Sequence, residues 1–528
     1  MNRKLGLVCL LGILSFVICN SLYAKTLYVA TNGDGTDGLS WETAYTTIQD
    51  AVNAAIEGSD DDSEAVSIIV GSANMGHGSG RYKENISISL SNLTLQSEGG
   101  YSKTVIEGAL ASKNVITVSG SSITVRGFSV YGATSTNQAG IALIAAASLC
   151  TIEDNRCGWL EGGTYNRNYR GIFLSVGSDH IVQNNLCSQN TNAGIFLSST
   201  SGNLIQSNTC SSNGSSGGIA IQSNSDRNRL IGNYCNNNSG NGIDLDDSNL
   251  NTLANNTCSY TEYYPGISIS NGQNNVITEN TLSYNSHGIE ISSSAYYNSI
   301  TCNLIQNNYY DGIQLKGKYN QAVANTCLNN AQGVYAYQGQ ENILYRNKFS
   351  NNTSAQVNAY YTRIDAGDFW NSAIPFSYGY RNAIYTSKLG NYYSNYTGSG
   401  TNGDGIGENP YTTTPLPGSL QKQDLYPLTD SNMTYAVQAW YFAENQIMTA
   451  EPNQPGFLQT LAGNDSIVWI SDAAAREEIV FAALNSADGW NGQIRFSNSP
   501  AGNTIQIQVG SVVPVEGTFI AGGPSATL

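Results

Sequence analysis

The chain has 528 residues, of which only 12% are charged; its formal net charge is −16, and it carries 55 Gly and 33 Tyr. An acidic chain without a basic stripe is repelled by polyanions, which excludes nucleic acid as a partner. So few charges cannot solvate long surface helices, so strands and turns with uncharged polar surfaces are expected.

Residues 1–24 begin the chain with Arg3 and Lys4 followed by an apolar run from Leu5 to Ile18, the layout of a secretory leader ending at Ala24. No later apolar stretch approaches the ~18 residues of a membrane span, so no transmembrane segment is expected. The expected location is extracellular, in the cell envelope or at the surface. Next, Ile48, Ala51, Val52, Ala55 and Ile56 fall at helical spacing. They predict an amphipathic helix that covers an open sheet edge. Strands at 85–89 and 92–96 then start a winding expected to occupy 25–352.

From Gly140 a Gly-Ile pair recurs at Gly171, Gly194, Gly218, Gly242, Gly266, Gly288 and Gly312, with Gly333-Val334 as the last. After a first interval of 31 the spacings are 23, 24, 24, 24, 22, 24 and 21. In step with it runs an Asn column: Asn155, Asn185, Asn208, Asn233, Asn256, Asn280, Asn303, Asn325 and Asn347. The apolar residues of each period, such as Ile195 and Leu197, alternate at spacing two, so each period is one turn of a β-solenoid rather than a helical repeat. The Asn column is structural: amides at a tight bend hydrogen-bond from coil to coil. The Gly column is read as a companion bend at positive φ.

Two residues after the Asn stand Cys157, Cys187, Cys210, Cys235, Cys258 and Cys327, where other coils have Leu282, Ile305 and Phe349. These cysteines are core hydrophobes or inter-coil disulfides. Cys150 and Cys302 lie off the column, as thiols that are free or join another molecule. There is no CxxC, and His77, His180 and His287 are scattered, so metal binding by these groups is disfavoured.

After residue 352 come Phe369-Trp370-Asn371-Ser372, then Leu389-Gly390-Asn391-Tyr392-Tyr393, then Asn402-Gly403-Asp404-Gly405-Ile406-Gly407-Glu408, then Asp424-Leu425-Tyr426-Pro427-Leu428. This block, assigned to 353–430, resembles the C-terminal cap of NosD-like proteins found among secreted and surface proteins of methanogenic archaea. The Asn and Gly-Ile repeats are similar to those of the same family, and the opening around Trp41, Ala44-Tyr45 and Thr47-Ile48-Gln49 resembles pectate-lyase-like β-helices. The resemblance covers about residues 25–430. It implies carbohydrate-acting relatives, and for NosD itself copper-site maturation, although His and Met are not grouped here. Asn402, Asp404 and Glu408 alternate on a Gly-rich turn, where their oxygens either bind calcium or simply shape the turn; calcium is the one cofactor considered. Residues 431–528 lose the period, and isolated strands with Trp469 and Trp490 predict a small β-sandwich.

Counting from each Gly places Asp244, Asp246, Glu290 and Lys316 on one outer face, with His287 and Asp311 on adjacent turns. These six are the catalytic candidates, since acids, a base and a cation are what glycan-cleaving or epimerising chemistry needs. The Asp-His-Asp and Gly-His-Gly signatures of β-helix epimerases and polygalacturonases are not reproduced. Tyrosines crowd the later coils, suited to sugar stacking or protein contacts. The fold class is therefore all-β: a single-stranded parallel β-helix with a helical N-terminal cap, an irregular C-terminal cap and a small sandwich. The expected function is a non-catalytic component of the extracellular envelope, a surface layer or archaeal sheath-like assembly formed by self-association. The alternatives are a secreted polysaccharide lyase, epimerase or hydrolase, and a carbohydrate-binding adhesin.

Overall fold

The computed structural model describes residues 25–58, 65–145, 147–158, 167–360, 368–373, 375–381, 383–415 and 422–430, and beyond 430 the backbone of short strands. The expected leader and Trp490 lie outside the described residues, as does the Trp469 side chain.

Each coil passes through three short strands, and the strands stack in parallel into three sheets. The first sheet has thirteen strands, from Lys25–Val29 to Ile343–Tyr345, and the second has thirteen, from Ile86–Ile88 to Thr414–Pro415. The third runs in two blocks, Arg81–Lys83 to Leu186–Ser188 and Tyr234–Asn236 to Tyr392–Tyr393, joined by bridges from Thr209 to Leu186 and Tyr234. At ~4.8 Å per strand the thirteen-stranded sheets are roughly 60 Å long. Alternation buries Ile172, Ile195, Ile219, Ile243 and Ile267 in one column and Leu174, Leu197, Ile221, Leu245 and Ile269 in the next.

Three polar ladders, rather than the single one read from the sequence, hold the bends. In the first, the backbone N–H of each Asn donates to Oδ1 of the Asn one coil on, from Asn155 to Asn185 and so on through Asn347 to Asn391. The second runs His180, Asn203, Asn228, Asn251, Asn275, Asn298, Asn320 and Asn342. The third joins Asn190, Asn213 and Asn238 and, farther on, Asn285, Asn308, Asn330 and Asn352. Each ladder therefore has a direction, with donors facing the C-terminal end. The last position of two ladders needs only an acceptor, and a carboxylate supplies it: Asp424 takes the Asn391 N–H at 2.7 Å and Asp368 the Asn342 N–H at 3.2 Å.

The positive φ of these bends belongs to the residue before the ladder Asn, for example Asn184, Ser207, Asn255 and Cys302. The Gly column is not at positive φ, contrary to the sequence reading. It lies in the second-sheet strands or directly before them, where coils approach closely: a Cβ on Gly288 would sit 2.2 Å from Ile305 Cγ2 and 2.6 Å from Gly312 O. Glycine is required there by space, not by torsion.

Helix Ile48–Glu57 closes the N-terminal end. Thr47 caps it by accepting from Asp50 N, Glu84 accepts from Ile48 N and Gln49 N, and Ile48, Ala51, Val52 and Ala55 are buried; Ile56, expected on that stripe, is exposed. The winding continues past residue 352, since Ala355–Tyr360 pairs with Gln332–Tyr337 and Thr414–Pro415 pairs on top of it. Tyr393, stacked on Tyr411 at 3.6 Å, and buried Trp370 fill that end. Beyond 430, Ser466–Trp469, Glu478–Leu484, Gln493–Ser497, Thr504–Gln508 and Pro514–Thr518 form one antiparallel meander, and Trp440–Tyr441 pairs with Ser525–Ala526.

Candidate functional site

In a second-sheet strand the Ile after the repeat Gly and the apolar residue two further on point into the core. The residues two and four after the Gly then face outward, and the residue before the Gly, at the entry to the strand, joins them by contact: Arg170 lies on Phe173, and Asp311 accepts from Gln314. Register turns these positions into columns. Asp244 pairs with Ser268, Ser268 with Glu290, Glu290 with Gln314, Gln314 with Tyr335 and Tyr335 with Asn358. Asp311 pairs with Gln332 in the column before the Gly, which His287 shares.

This register brings His287, Glu290, Asp311 and Lys316 together. His287 Nδ1 lies 3.0 Å from Asp311 Oδ2, without the alignment of a good hydrogen bond, and Gln314 Nε2 donates to the same oxygen at 3.1 Å. Asp311 is only 3% exposed, whereas the His287 side chain keeps 18%. The imidazole stacks on Tyr310 with centroids 5.4 Å apart. Lys316 Nζ donates to Glu290 Oε1 at 3.0 Å. Beside them the Tyr335 hydroxyl has its pKa raised, first by burial and then by Tyr337 and Asp311. An imidazole held on its Nδ1 side by a buried carboxylate presents Nε2 as a proton acceptor, and Glu290 is a second group able to move a proton.

Asp244 stands two coils away. Burial pushes its carboxyl pKa up, against the hydrogen bond from Asn241 Nδ2 at 2.7 Å, and the neighbouring Asp246 adds to the rise. Asp246 is partly exposed and accepts from Asn271 Nδ2 at 3.4 Å. Asp244 and Asp246 thus share the face but not the His287 cluster.

Aromatic groups bound the face at both ends. Toward the N-terminal end the Arg170 guanidinium lies 3.9 Å from the Phe196 ring centroid and 4.6 Å from that of Phe173. Toward the other end Tyr335 stacks on Tyr337 and Tyr337 on Tyr360. A side wall rises at the bend from the third sheet, where Tyr260 and Tyr284 stack at 4.9 Å and Tyr263 and Tyr309 are 78% and 73% exposed. The sequence reading missed Arg170 and the Gln314–Asp311 bond. Reading the residue before each repeat Gly would have found Arg170 in the column of His287 and Asp311.

The other singled-out residues are placed elsewhere. Asp404 Oδ1 accepts from Ile406 N and Glu408 Oε1 from Thr401 N, so both carboxylates brace the turn that also holds Asn402. Cys157, Cys187, Cys210, Cys235 and Cys258 stack in five successive coils, and Cys327 follows after two intervening coils that carry Leu282 and Ile305; all are fully buried thiols. Burial raises the thiol pKa of Cys187, Cys210 and Cys258. Cys150 is a fully buried free thiol, its Sγ facing Gly120 O at 3.4 Å, the first of the two alternatives read from the sequence. Cys302 is partly exposed at a bend.

Fold and face together define a parallel β-helix protein with a polar, aromatic-flanked outer sheet. The chain belongs to the NosD family: the family model, described as periplasmic copper-binding protein (NosD), matches residues 79–257, 160–310 and 238–398. A search of curated proteins finds no match. Among solved structures it is similar to the A-module of the Azotobacter vinelandii mannuronan C-5 epimerase AlgE6, at 14% identity over 61% of this chain and 93% of that one, TM-score 0.46. It is also similar to the Dettilon tailspike protein gp208, at 13% identity over 92% and 81%, TM-score 0.43. A third is the DFA-IIIase of Arthrobacter chlorophenolicus A6, at 13% over 65% and 86%, TM-score 0.40.

The family description implies copper, and the described residues do not fit it. No group of three or more His, Cys, Asp or Glu able to hold a metal ion occurs among them. His77 is stacked flat on Trp41 and paired with Glu98, and His180 is a buried ladder member whose Nδ1 accepts from Cys150 N. The thiols lie inside the core, where a metal would have to displace packed apolar neighbours.

Proposed function

We propose that this chain is an exported β-helix protein that engages a glycan on the outer face of its second sheet. The observation that carries the reading is the His287–Asp311–Gln314 and Glu290–Lys316 cluster, set on a regular sheet between two aromatic patches. Hydroxyl-rich chains offer donors to such carboxylates and flat faces to such rings. If chemistry occurs, His287 Nε2 is the proton acceptor, Asp311 orients the ring, and Glu290 assists; lyase, epimerase and hydrolase reactions all need such a pair. The test is retention on immobilised polysaccharides, with product release measured in parallel for wild type, His287→Gln and Glu290→Gln. Release abolished in His287→Gln with retention kept makes it catalytic, whereas retention without release in wild type makes the protein an adhesin. Absence of retention on every glycan would refute the reading.

The exposed tyrosine stacks favour a second reading, a non-catalytic envelope component that self-associates. Tyr260–Tyr284 and Tyr297–Tyr319 are parallel pairs on two different bends, and both ends of the rod are covered, so association would be side by side. Electron microscopy of the cell surface and of the concentrated protein would show arrays; a dispersed monomer in all conditions would exclude it.

A further inference from the structure

The charges and the length of the second-sheet face narrow the occupant, given that it is a glycan, as proposed above. The acids on the face are Asp244, Asp246, Glu290 and Asp311. The cations are Lys316, already paired with Glu290 at 3.0 Å, and Arg170, which lies against the rings of Phe173 and Phe196 and donates to Asn137 Oδ1 at 3.3 Å. A chain bearing a carboxylate or sulfate on each sugar would face four acids with Lys316 already paired to one of them, in a molecule of net charge −16. Hydroxyl groups meet no such penalty. They find acceptors in the partly exposed carboxylates of Asp244, Asp246 and Glu290.

Length supplies the second argument. From Phe173, whose ring is partly exposed where that of Phe196 is buried beneath Arg170, the outward column runs through Phe196, Ala220, Asp244, Ser268, Glu290 and Gln314 to Tyr335, seven coil steps. At ~4.8 Å each, the two aromatic patches are roughly 34 Å apart. A single sugar reaches one patch; a chain parallel to the rod axis reaches both, with the Tyr260, Tyr263, Tyr284 and Tyr309 wall alongside.

We propose that the ligand of this face is an uncharged polysaccharide lying along the rod axis, its middle sugars against His287 and Glu290 and its flanks on the Phe173 and Tyr335–Tyr337 patches.

The experiment is affinity electrophoresis of the full chain through gels containing neutral polymers (mannan, β-glucan, galactan) or acidic ones (polygalacturonate, alginate), at low and at 0.5 M salt. A series of neutral oligosaccharides of increasing length is then run as competitors. Retardation by at least one neutral polymer, unchanged by salt, weakened about tenfold by Tyr337→Ala and competed better by longer oligosaccharides, is expected. Retardation by acidic polymers alone, lost on Tyr337→Ala, would overturn the uncharged class and leave the glycan site standing. A disaccharide competing as well as a long chain would overturn the axial placement. No retardation by any polymer would overturn both this inference and the glycan reading.

Discussion

Removing one amide from the middle of the first ladder should cost far more than a surface substitution. Asn256 Oδ1 accepts from Asn233 N at 2.9 Å and from Asn233 Nδ2 at 3.0 Å, while Asn256 Nδ2 donates to Leu230 O at 2.9 Å and to Asn280 Oδ1 at 3.0 Å. All these groups are buried. Asn256→Ala deprives two backbone groups, the Asn233 N–H and the Leu230 carbonyl, of these bonds, at about 1–3 kcal/mol each, so a loss of about 2–6 kcal/mol is expected. Asn256→Asp should be no better, because a carboxylate still accepts from Asn233 but has no proton for Leu230 O or Asn280 Oδ1. Urea denaturation gives the stability change, and hydrogen exchange at the Asn233 amide locates it, since coils of a solenoid are stabilised mainly by their neighbours. If Asn256→Ala unfolded at the wild-type urea concentration with the Asn233 amide still protected, the ladder would not be holding the bend.

Two buried groups give opposite pH slopes. Burial raises the Asp424 carboxyl from 3.8 to about 7, so between those values the folded state holds a proton that the unfolded chain has lost. Stability should therefore fall as pH rises through that window, by on the order of 4 kcal/mol in full, and Asp424→Asn should flatten the decline. Burial lowers His180 from 6.5 to about 4, so there the unfolded chain holds the extra proton and stability should be lost as pH falls from 6.5 toward 4. His180→Asn, which continues the second ladder, should remove that loss; urea midpoints from pH 4.5 to 8 test both. Gly288→Ala forces a methyl group against Ile305 and Gly312 and should destabilise by about 1–3 kcal/mol, read from the thermal midpoint, with an unchanged midpoint counting against the spacing argument. A thiol reagent should leave Cys157, Cys187, Cys210, Cys235 and Cys258 unmodified in the native protein and label them all in denaturant; failure to label without reductant would instead show inter-coil disulfides.

The solenoid, its period, the inward Ile and Leu columns and one Asn ladder were legible in the sequence, because each coil repeats the same local problem and repeats its solution at fixed spacing. The helix over Ile48–Glu57 was legible for the same reason, an apolar stripe at helical period. Two other ladders went unread although their members stand five residues before and five after those of the first; one begins with His180 instead of Asn, and the other is interrupted where Thr261 replaces Asn between Asn238 and Asn285. Glycine's role was misread because a positive φ and a missing space both select Gly, and only coil-to-coil distances separate them. The six candidate site residues were found by counting along the repeat. Counting also set His287 beside Asp311 on adjacent turns and Asp244 two turns from Glu290; it did not give the bonds from Gln314 to Asp311 and from Lys316 to Glu290, which depend on where the side chains of stacked strands reach. A repeating chain thus writes its fold into local spacing, whereas the chemistry of its surface depends on side chains some twenty residues apart in sequence and one strand apart in space.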